Sequence, residues 1–218
     1  MEAGDGQDSR MRLPVVRSLA KVLSRGRVCD DSTSVVDHLL RPHLQLILSS
    51  DDPVICPFQQ AAGFLYGKLD SLKGLPLFLS HFDLNDMNIM VSDDFEVSGL
   101  IDWEFSSPLP FGVGFSRIDS LAGEYHEGCF CMLDDFEEVE RAFWSEILKG
   151  IPESTRLLVT ETPELVQTAV TLGILLEAFQ LENGRLGPYS EVAVRALPKL
   201  LTYRIPMIRG PDSPPYSI

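Results

Sequence analysis

Nowhere in the 218 residues do eighteen apolar residues run together, so no membrane-spanning helix and no membrane partner are expected. Basic charge is scarce, with 18 Lys and Arg against 32 Asp and Glu and a net charge of −14. Binding to a phosphate backbone needs clustered Lys and Arg, so nucleic acid is not an expected partner. The acidity is compatible with a cationic small molecule, although net charge bears first on solubility. Only four cysteines occur, at 29, 56, 129 and 131, and their spacing makes no zinc clip. They are expected to be buried, reduced thiols of a cytoplasmic protein. The N-terminus lacks the basic-then-apolar order of a secretion signal. Glycine-rich phosphate loops are missing too: neither G-x-G-x-x-G nor G-x-x-x-x-G-K-[ST] occurs, and Gly112-Val-Gly114 is a bare G-x-G.

What is present centres on His81-Phe-Asp83-Leu-Asn-Asp-Met-Asn88 and Ile101-Asp102-Trp103-Glu104. The first has the form H-x-D-x-x-x-x-N, the order of a protein-kinase catalytic loop, which is followed by a metal-binding Asp. A phosphoryl acceptor needs a carboxylate that orients its hydroxyl and takes its proton, and Asp83 is the candidate. The transferring phosphate needs cations held by oxygen, and Asn88 and Asp102 are the candidates. Asn88–Ser92 and Val97–Asp102 read as strands around a polar tip, Asp93-Asp-Phe-Glu96. Folding about Phe95 puts Asn88 opposite Asp102 at one end of the hairpin. A lone Asp at a strand end is ordinarily a turn or cap residue. Here residue type, spacing and strand context agree at three positions. His81 is expected to anchor the loop by hydrogen bonds, and Glu104 to support Asp102 or the substrate side, with an exposed charge the competing role.

The segment resembles the aminoglycoside phosphotransferase (APH) family, small-molecule kinases of protein-kinase-like architecture. Ile101-Asp102-Trp103-Glu104 matches that family's second motif unchanged, and Pro108–Gly114, Leu121–Glu124 and Phe143-Trp144 are similar to its fungal branch. The resemblance runs from about 76 to 183. Phe82 departs from it, since many members have Gly there. The resemblance implies ATP as phosphoryl donor, Mg²⁺ as cofactor and a small-molecule acceptor hydroxyl.

Along the chain, residues 1–9 read as a loose tail and 205–218 as another. The body, 10–204, is expected as one kinase-like lobe with a catalytic core at 76–104 and substrate-side helices over 105–200. Leu13, Val16, Leu19, Ala20 and Leu23 form one helical face in a basic stretch. A mitochondrial presequence has that character, but three preceding acids favour a surface helix. Thr33–Leu48 predicts a helix interrupted at Pro42, and Phe58, Ala62, Leu65, Leu69 and Leu72 a second that Gly74 and Pro76 end. Leu77–Leu79 predicts a strand, and Phe105–Phe115 a loop. Asp134 with Glu137 predicts a capped helix start, and Thr162-Pro163 another. Asn183-Gly184 is expected to close the helix lined by Leu165, Ala169, Leu172, Leu176 and Phe179. A last helix is expected over Glu191–Leu197. The fold class is therefore mainly α with a small β hairpin (α+β), a protein-kinase-like C-terminal lobe.

A kinase also needs an N-terminal β lobe with a lysine for the α- and β-phosphates. The 75 residues before Pro76 read as helix, so that lobe is expected to be absent and the chain incomplete as an enzyme. Three functions stay open: an ATP-dependent small-molecule kinase, an inactive kinase-derived binding or regulatory lobe, and a metal-dependent phosphoesterase. The last wants more His and Asp ligands than the pattern offers.

Overall fold

The hydrophobic stripe read in the N-terminal stretch forms a helix, α1 (Asp5–Leu23), whose Val16, Leu19, Ala20 and Leu23 are buried. The computed structural model describes residues 5–81, 83–103, 107–182, 184–210 and 213–216. Helix α1 begins at Asp5, so the segment expected as a loose tail is helical from there. Strand β1 (Arg27–Cys29) follows, then α2 (Thr33–Val35), a π-helical turn Val36–Leu40 and α3 (Arg41–Ser49). Pro42 does not interrupt this run. It lies just after the π-helical turn Val36–Leu40, where the run changes its hydrogen-bonding pattern.

The next predicted helix is split into α4 (Gln59–Tyr66) and α5 (Leu69–Leu72), with the break at Gly67-Lys68. Phe58, Ala62, Leu65, Leu69 and Leu72 are all buried nevertheless, because the stripe stays on one side across the break. Strand β2 (Leu77–Ser80) then lies at the centre of a three-stranded antiparallel sheet, between β1 and β5 (Ser107–Pro110). The hairpin β3 (Ile89–Val91) and β4 (Val97–Leu100) falls between them in sequence. Strand β5 corrects the expected loop over Phe105–Phe115. Leu77 pairs with Pro110 and Ser80 with Ser107, so two prolines sit in an edge strand, which tolerates their missing N–H.

Helix α6 (Ile118–Ala122) leads into the hairpin β6 (Gly123–His126) and β7 (Cys129–Met132). Helix α7 (Phe136–Gly150) packs on α1, and α8 (Glu153–Glu161) leads to α9 (Pro163–Ala178). The start of α7 departs from expectation. Its N-cap is Asp135 without a side-chain cap bond, and Asp135 instead accepts from Arg12 at 2.7 Å. Thr162 likewise makes no cap bond, and its hydroxyl donates to the Leu158 carbonyl. Nor does Asn183-Gly184 close α9. The helix ends at Ala178, and Gly184 (φ +76°) lies in the turn of a hairpin, β8 (Phe179–Glu182) and β9 (Arg185–Pro188). A left-handed Gly serves a tight hairpin as well as it serves a helix end, and the stripe alone could not tell them apart.

Helix α10 (Glu191–Leu200) carries Pro198 inside its last turn, beyond the expected stop at Leu197. The stretch expected as a loose C-terminal tail packs instead. Ile205 and Tyr216 are buried, and Arg204 N–H donates to the Pro215 carbonyl at 2.8 Å. Tyr216 lies 5.4 Å from both Tyr203 and Phe130. The α+β expectation holds, and among the described residues the expected hairpin is joined by the three-stranded sheet and two further hairpins.

The core joins sheet to helices through aromatic edges. Phe78 meets Phe111 at 5.2 Å, Phe111 meets Phe115 at 5.1 Å, and Phe115 meets Trp144 at 6.2 Å. Each such pair contributes roughly 0.5–1.5 kcal/mol beyond burial. Gly173 of α9 lets that helix come against the Val113–Phe115 turn, where a Cβ would stand 2.1 Å from the Val113 carbonyl oxygen. The cysteines are all free, but Cys29, Cys56 and Cys129 are exposed and Cys131 is half-buried, correcting the expected burial. In β7 the alternation turns Phe130 inward and leaves both flanking cysteines on the open face. Among the described residues, no helix is long and apolar enough to cross a membrane.

Candidate active site

Central strand β2 ends at Ser80 and delivers His81 directly beneath the β3–β4 hairpin. His81 is buried, and its Nε2 donates to the Ile101 carbonyl at 2.6 Å. Its ring also lies 4.8 Å from that of Trp103. This bond ties the start of the loop to the end of the hairpin. His81 Nδ1 has no partner among the described groups.

The loop from Asp83 to Asn88 is held by its own amides. The Asp83 carbonyl accepts from Asn85 Nδ2 at 3.2 Å and from Asn88 Nδ2 at 2.8 Å. Asn88 Nδ2 also lies 3.2 Å from Asp83 Oδ2. Asn85 Oδ1 accepts from the Met87 N–H, capping the short 3₁₀ turn Asp86–Asn88. Asn85 therefore shapes the loop, a role the motif spacing did not reveal.

The hairpin register differs by one from that expected. Ile89 pairs with Leu100 and Met90 with Gly99, and an irregularity follows at Val91. The Ile101 N–H donates to the Asn88 carbonyl, so Asn88 faces Ile101 and Asp102 comes one residue later. The turn closes around Asp94, with Val91 opposite Val97, and the bulge then restores one residue, leaving a net offset of one from folding about Phe95. Asp102 is exposed and adopts φ +61°, a left-handed conformation that turns the chain out of the ladder. Glu104 and Phe82 lie outside the described residues.

Asn88 and Asp102 can be tested as cation ligands from this geometry. The Asn88 amide uses its N–H₂ on Asp83, which leaves Oδ1 as a free acceptor. Asp102 is exposed and follows Ile101, the residue whose N–H bonds the Asn88 carbonyl. An amide and a carboxylate oxygen suit Mg²⁺, which keeps several waters and binds through one or two protein oxygens plus phosphates. Among the described residues, no cluster of three or more His, Cys, Asp and Glu forms a closed metal cage.

The surroundings of Asp83 come from far along the chain. Tyr189, just after β9, donates its hydroxyl to Asp83 Oδ1 at 3.3 Å. Arg117 stands 3.9 Å from the same oxygen, and its Nε stands 3.4 Å from Glu177 Oε2 of α9. The guanidinium lies over the Tyr189 ring at 5.5 Å. Burial works to lower the Arg117 pKa, but Glu177, Asp119 and Asp83 outweigh it and leave it raised. Burial, with Asp119 adding, lifts Glu177 to about 7 despite Arg117. Burial also raises Asp119, against a 2.8 Å hydrogen bond from Tyr125. One buried cation thus serves three carboxylates, one of them Asp83.

Sequence reasoning missed Arg117, Glu177 and Tyr189. Two signals were available. Arg117 is the single Lys or Arg between positions 74 and 140, and Glu177 is a lone acid in the apolar run Leu172–Ala178. Tyr189 carried none, because its approach to Asp83 depends on how β8–β9 folds back.

Residues 34–113 match the model of the APH phosphotransferase enzyme family. That stretch contains His81, Asp83, Asn88 and Asp102, so the resemblance carried by the two motifs is borne out there. No curated protein matches the chain. The matched family is one of phosphotransferase enzymes, and the match spans 80 of the 218 residues. Arg117, Glu177 and Tyr189 lie beyond the APH-matched stretch, although the fold brings them to it.

Proposed function

We propose that the chain carries the kinase-like lobe of an ATP-dependent small-molecule phosphotransferase with its reaction centre at Asp83. The observation that carries this reading is that Asp83, within the APH-matched stretch, is held between Asn88 and Tyr189. Asp83 is partly exposed, with about 29% of its side chain accessible, so an acceptor can reach it. In the reaction, the acceptor hydroxyl oxygen bonds to the γ-phosphorus as the bond to the bridging β-oxygen breaks. The hydroxyl proton passes to Asp83, and ADP is the leaving group.

Asn88 and Asp102 would hold Mg²⁺, which supplies neutralisation of phosphate charge when bound. Asp83 orients the hydroxyl, and His81 and Asn85 hold the loop so that the carboxylate is already in place. Arg117 keeps the cluster of carboxylates compatible with burial. The free, exposed cysteines accord with a reducing compartment such as the cytoplasm.

The test is Mg²⁺-dependent ATP consumption with a panel of hydroxylated small molecules, comparing the native sequence with Asp83→Asn. The variant is expected to lose about 10²–10⁴-fold in kcat, the usual weight of a general base, while its fold is unchanged. Turnover near that of the native sequence would overturn the role of Asp83. Absence of any Mg²⁺-dependent ATP consumption would favour a lobe that binds without transferring phosphate.

A further inference from the structure

Two cavities adjoin the loop. The smaller, about 620 Å³, contains Asp83 together with Asp86, Glu124 and Arg117. The larger, about 880 Å³, lies under the β8–β9 hairpin, between α3, β5 and α9. Tyr189 lines both cavities, and its hydroxyl is 3.3 Å from Asp83. His81, two residues before Asp83, also lines the larger one.

The walls of the larger cavity are mostly apolar: Leu39, Leu109, Val113, Leu176, Leu181 and Leu186. Its volume lies within the roughly 300–1,000 Å³ of small-molecule sites. Its buried ionisable groups His43 and Glu177 are already committed, while His81 Nδ1 has no partner among the described groups. His43 Nε2 bonds the Phe179 carbonyl at 2.7 Å, and burial holds the imidazole pKa down. Glu177 accepts from Ser116 and pairs with Arg117. Arg185 stands on the exposed side of the hairpin. An ammonium group entering this space would lose its water without gaining a free counter-charge, which is costly. A hydrocarbon body gains from the same burial.

We propose that the larger cavity binds the body of a neutral, largely apolar hydroxylated small molecule, with Tyr189 and His81 forming the wall toward Asp83. That this ligand is the phosphoryl acceptor rests on the function proposed above. The binding itself does not. The assignment parts from the cationic acceptor that the overall acidity suggests, because the local walls rather than the net charge set what fits.

The experiment is fluorescence titration of the full chain with the neutral probe N-phenylnaphthylamine, without nucleotide. Saturable binding is expected, with displacement by decanol and much weaker displacement by an aminodecanol of equal chain length, charged at neutral pH. Leu39→Trp and Leu181→Glu change cavity walls that are about 40% exposed, so the fold is retained. Each is expected to weaken binding by about tenfold or more, a change of about 1.4 kcal/mol. Leu157→Glu on α8, outside the cavity, leaves it unchanged. Three results would each overturn the proposal: no saturable binding, equal displacement by the charged alcohol, or binding untouched in both cavity variants. Probe binding with no ATP consumption would instead strike only the phosphotransfer reading.

Discussion

Tyr189 donates its hydroxyl to Asp83 Oδ1 across 3.3 Å, joining two residues 106 positions apart in the chain. The bond leaves the candidate base with one donor on each carboxylate oxygen, Tyr189 on Oδ1 and Asn88 on Oδ2. The carboxylate is thereby fixed in rotation while lone pairs remain for an incoming hydroxyl. The phenol pays no large penalty for this position, since about 45% of Tyr189 stays exposed.

Removing that hydroxyl should affect turnover more than folding. Tyr189→Phe is expected to lower the kcat of Mg²⁺-dependent phosphotransfer by about tenfold or somewhat more, since hydrogen bonds to charged groups contribute about 1.5–3 kcal/mol. Its Tm should stay within a few degrees. Steady-state kinetics beside a thermal melt decides it, and an unchanged kcat would remove Tyr189 from the site.

Asp102 holds an exposed, left-handed backbone where glycine is at ease. Asp102→Gly relieves a strain of about 1 kcal/mol, part of which the more flexible unfolded chain takes back. Stability should therefore be unchanged or slightly higher in urea unfolding. Calorimetric titration with Mg²⁺ and ATP should show affinity reduced by an order of magnitude or more. Native affinity in this variant would exclude Asp102 as a ligand.

The buried carboxylates give stability a definite pH slope. Glu177 sits at about 7 in the fold against an ordinary 4.5, chiefly through burial. Between those values the folded chain holds a proton that the unfolded chain has released, so raising the pH favours unfolding. The contribution is whole below the unfolded value and is lost as the pH rises through the folded one. Its size is on the order of 3 kcal/mol at 1.36 kcal/mol per unit. Burial raises Asp119 and Glu140 in the same direction. The Tm is expected to fall between about pH 5 and pH 8, and Glu177→Gln should flatten the slope. A slope identical in the variant would place the protons elsewhere.

Behind the site, Arg209 and Glu140 form an ion pair at 2.5 Å with side chains 3% and 0% exposed. Tyr203 donates to the other Glu140 oxygen, and Trp144 donates to Tyr203. Arg209→Ala strands a carboxylate in the core and is expected to cost about 3–5 kcal/mol in urea unfolding, with Arg209→Lys milder. A loss below about 1 kcal/mol would show that the C-terminal stretch contributes little to the fold.

Local pattern determined a good deal by itself. The helical stripe of α1, the buried set Phe58 to Leu72, strand β2 and the β3–β4 hairpin all follow from short-range periodicity and turn residues. The H-x-D-x-x-x-x-N and I-D-W-E motifs were legible because their residues must sit close in sequence to share one loop and one hairpin. Tertiary structure decided what depends on distant partners. Ser107–Pro110 became a strand because β2 offered it a ladder, and the Gly184 signal became a hairpin turn rather than a helix end, Asn183 lying outside the described residues. The one-residue slip that puts Asn88 opposite Ile101 came from a turn that closes around Asp94 rather than Phe95, partly offset by a bulge with no sequence marker. Arg117, Glu177 and Tyr189 reached Asp83 only through the packing of α9 and β8–β9 around the loop. Spacing encodes contacts within an element, whereas contacts between elements are set by which buried faces meet.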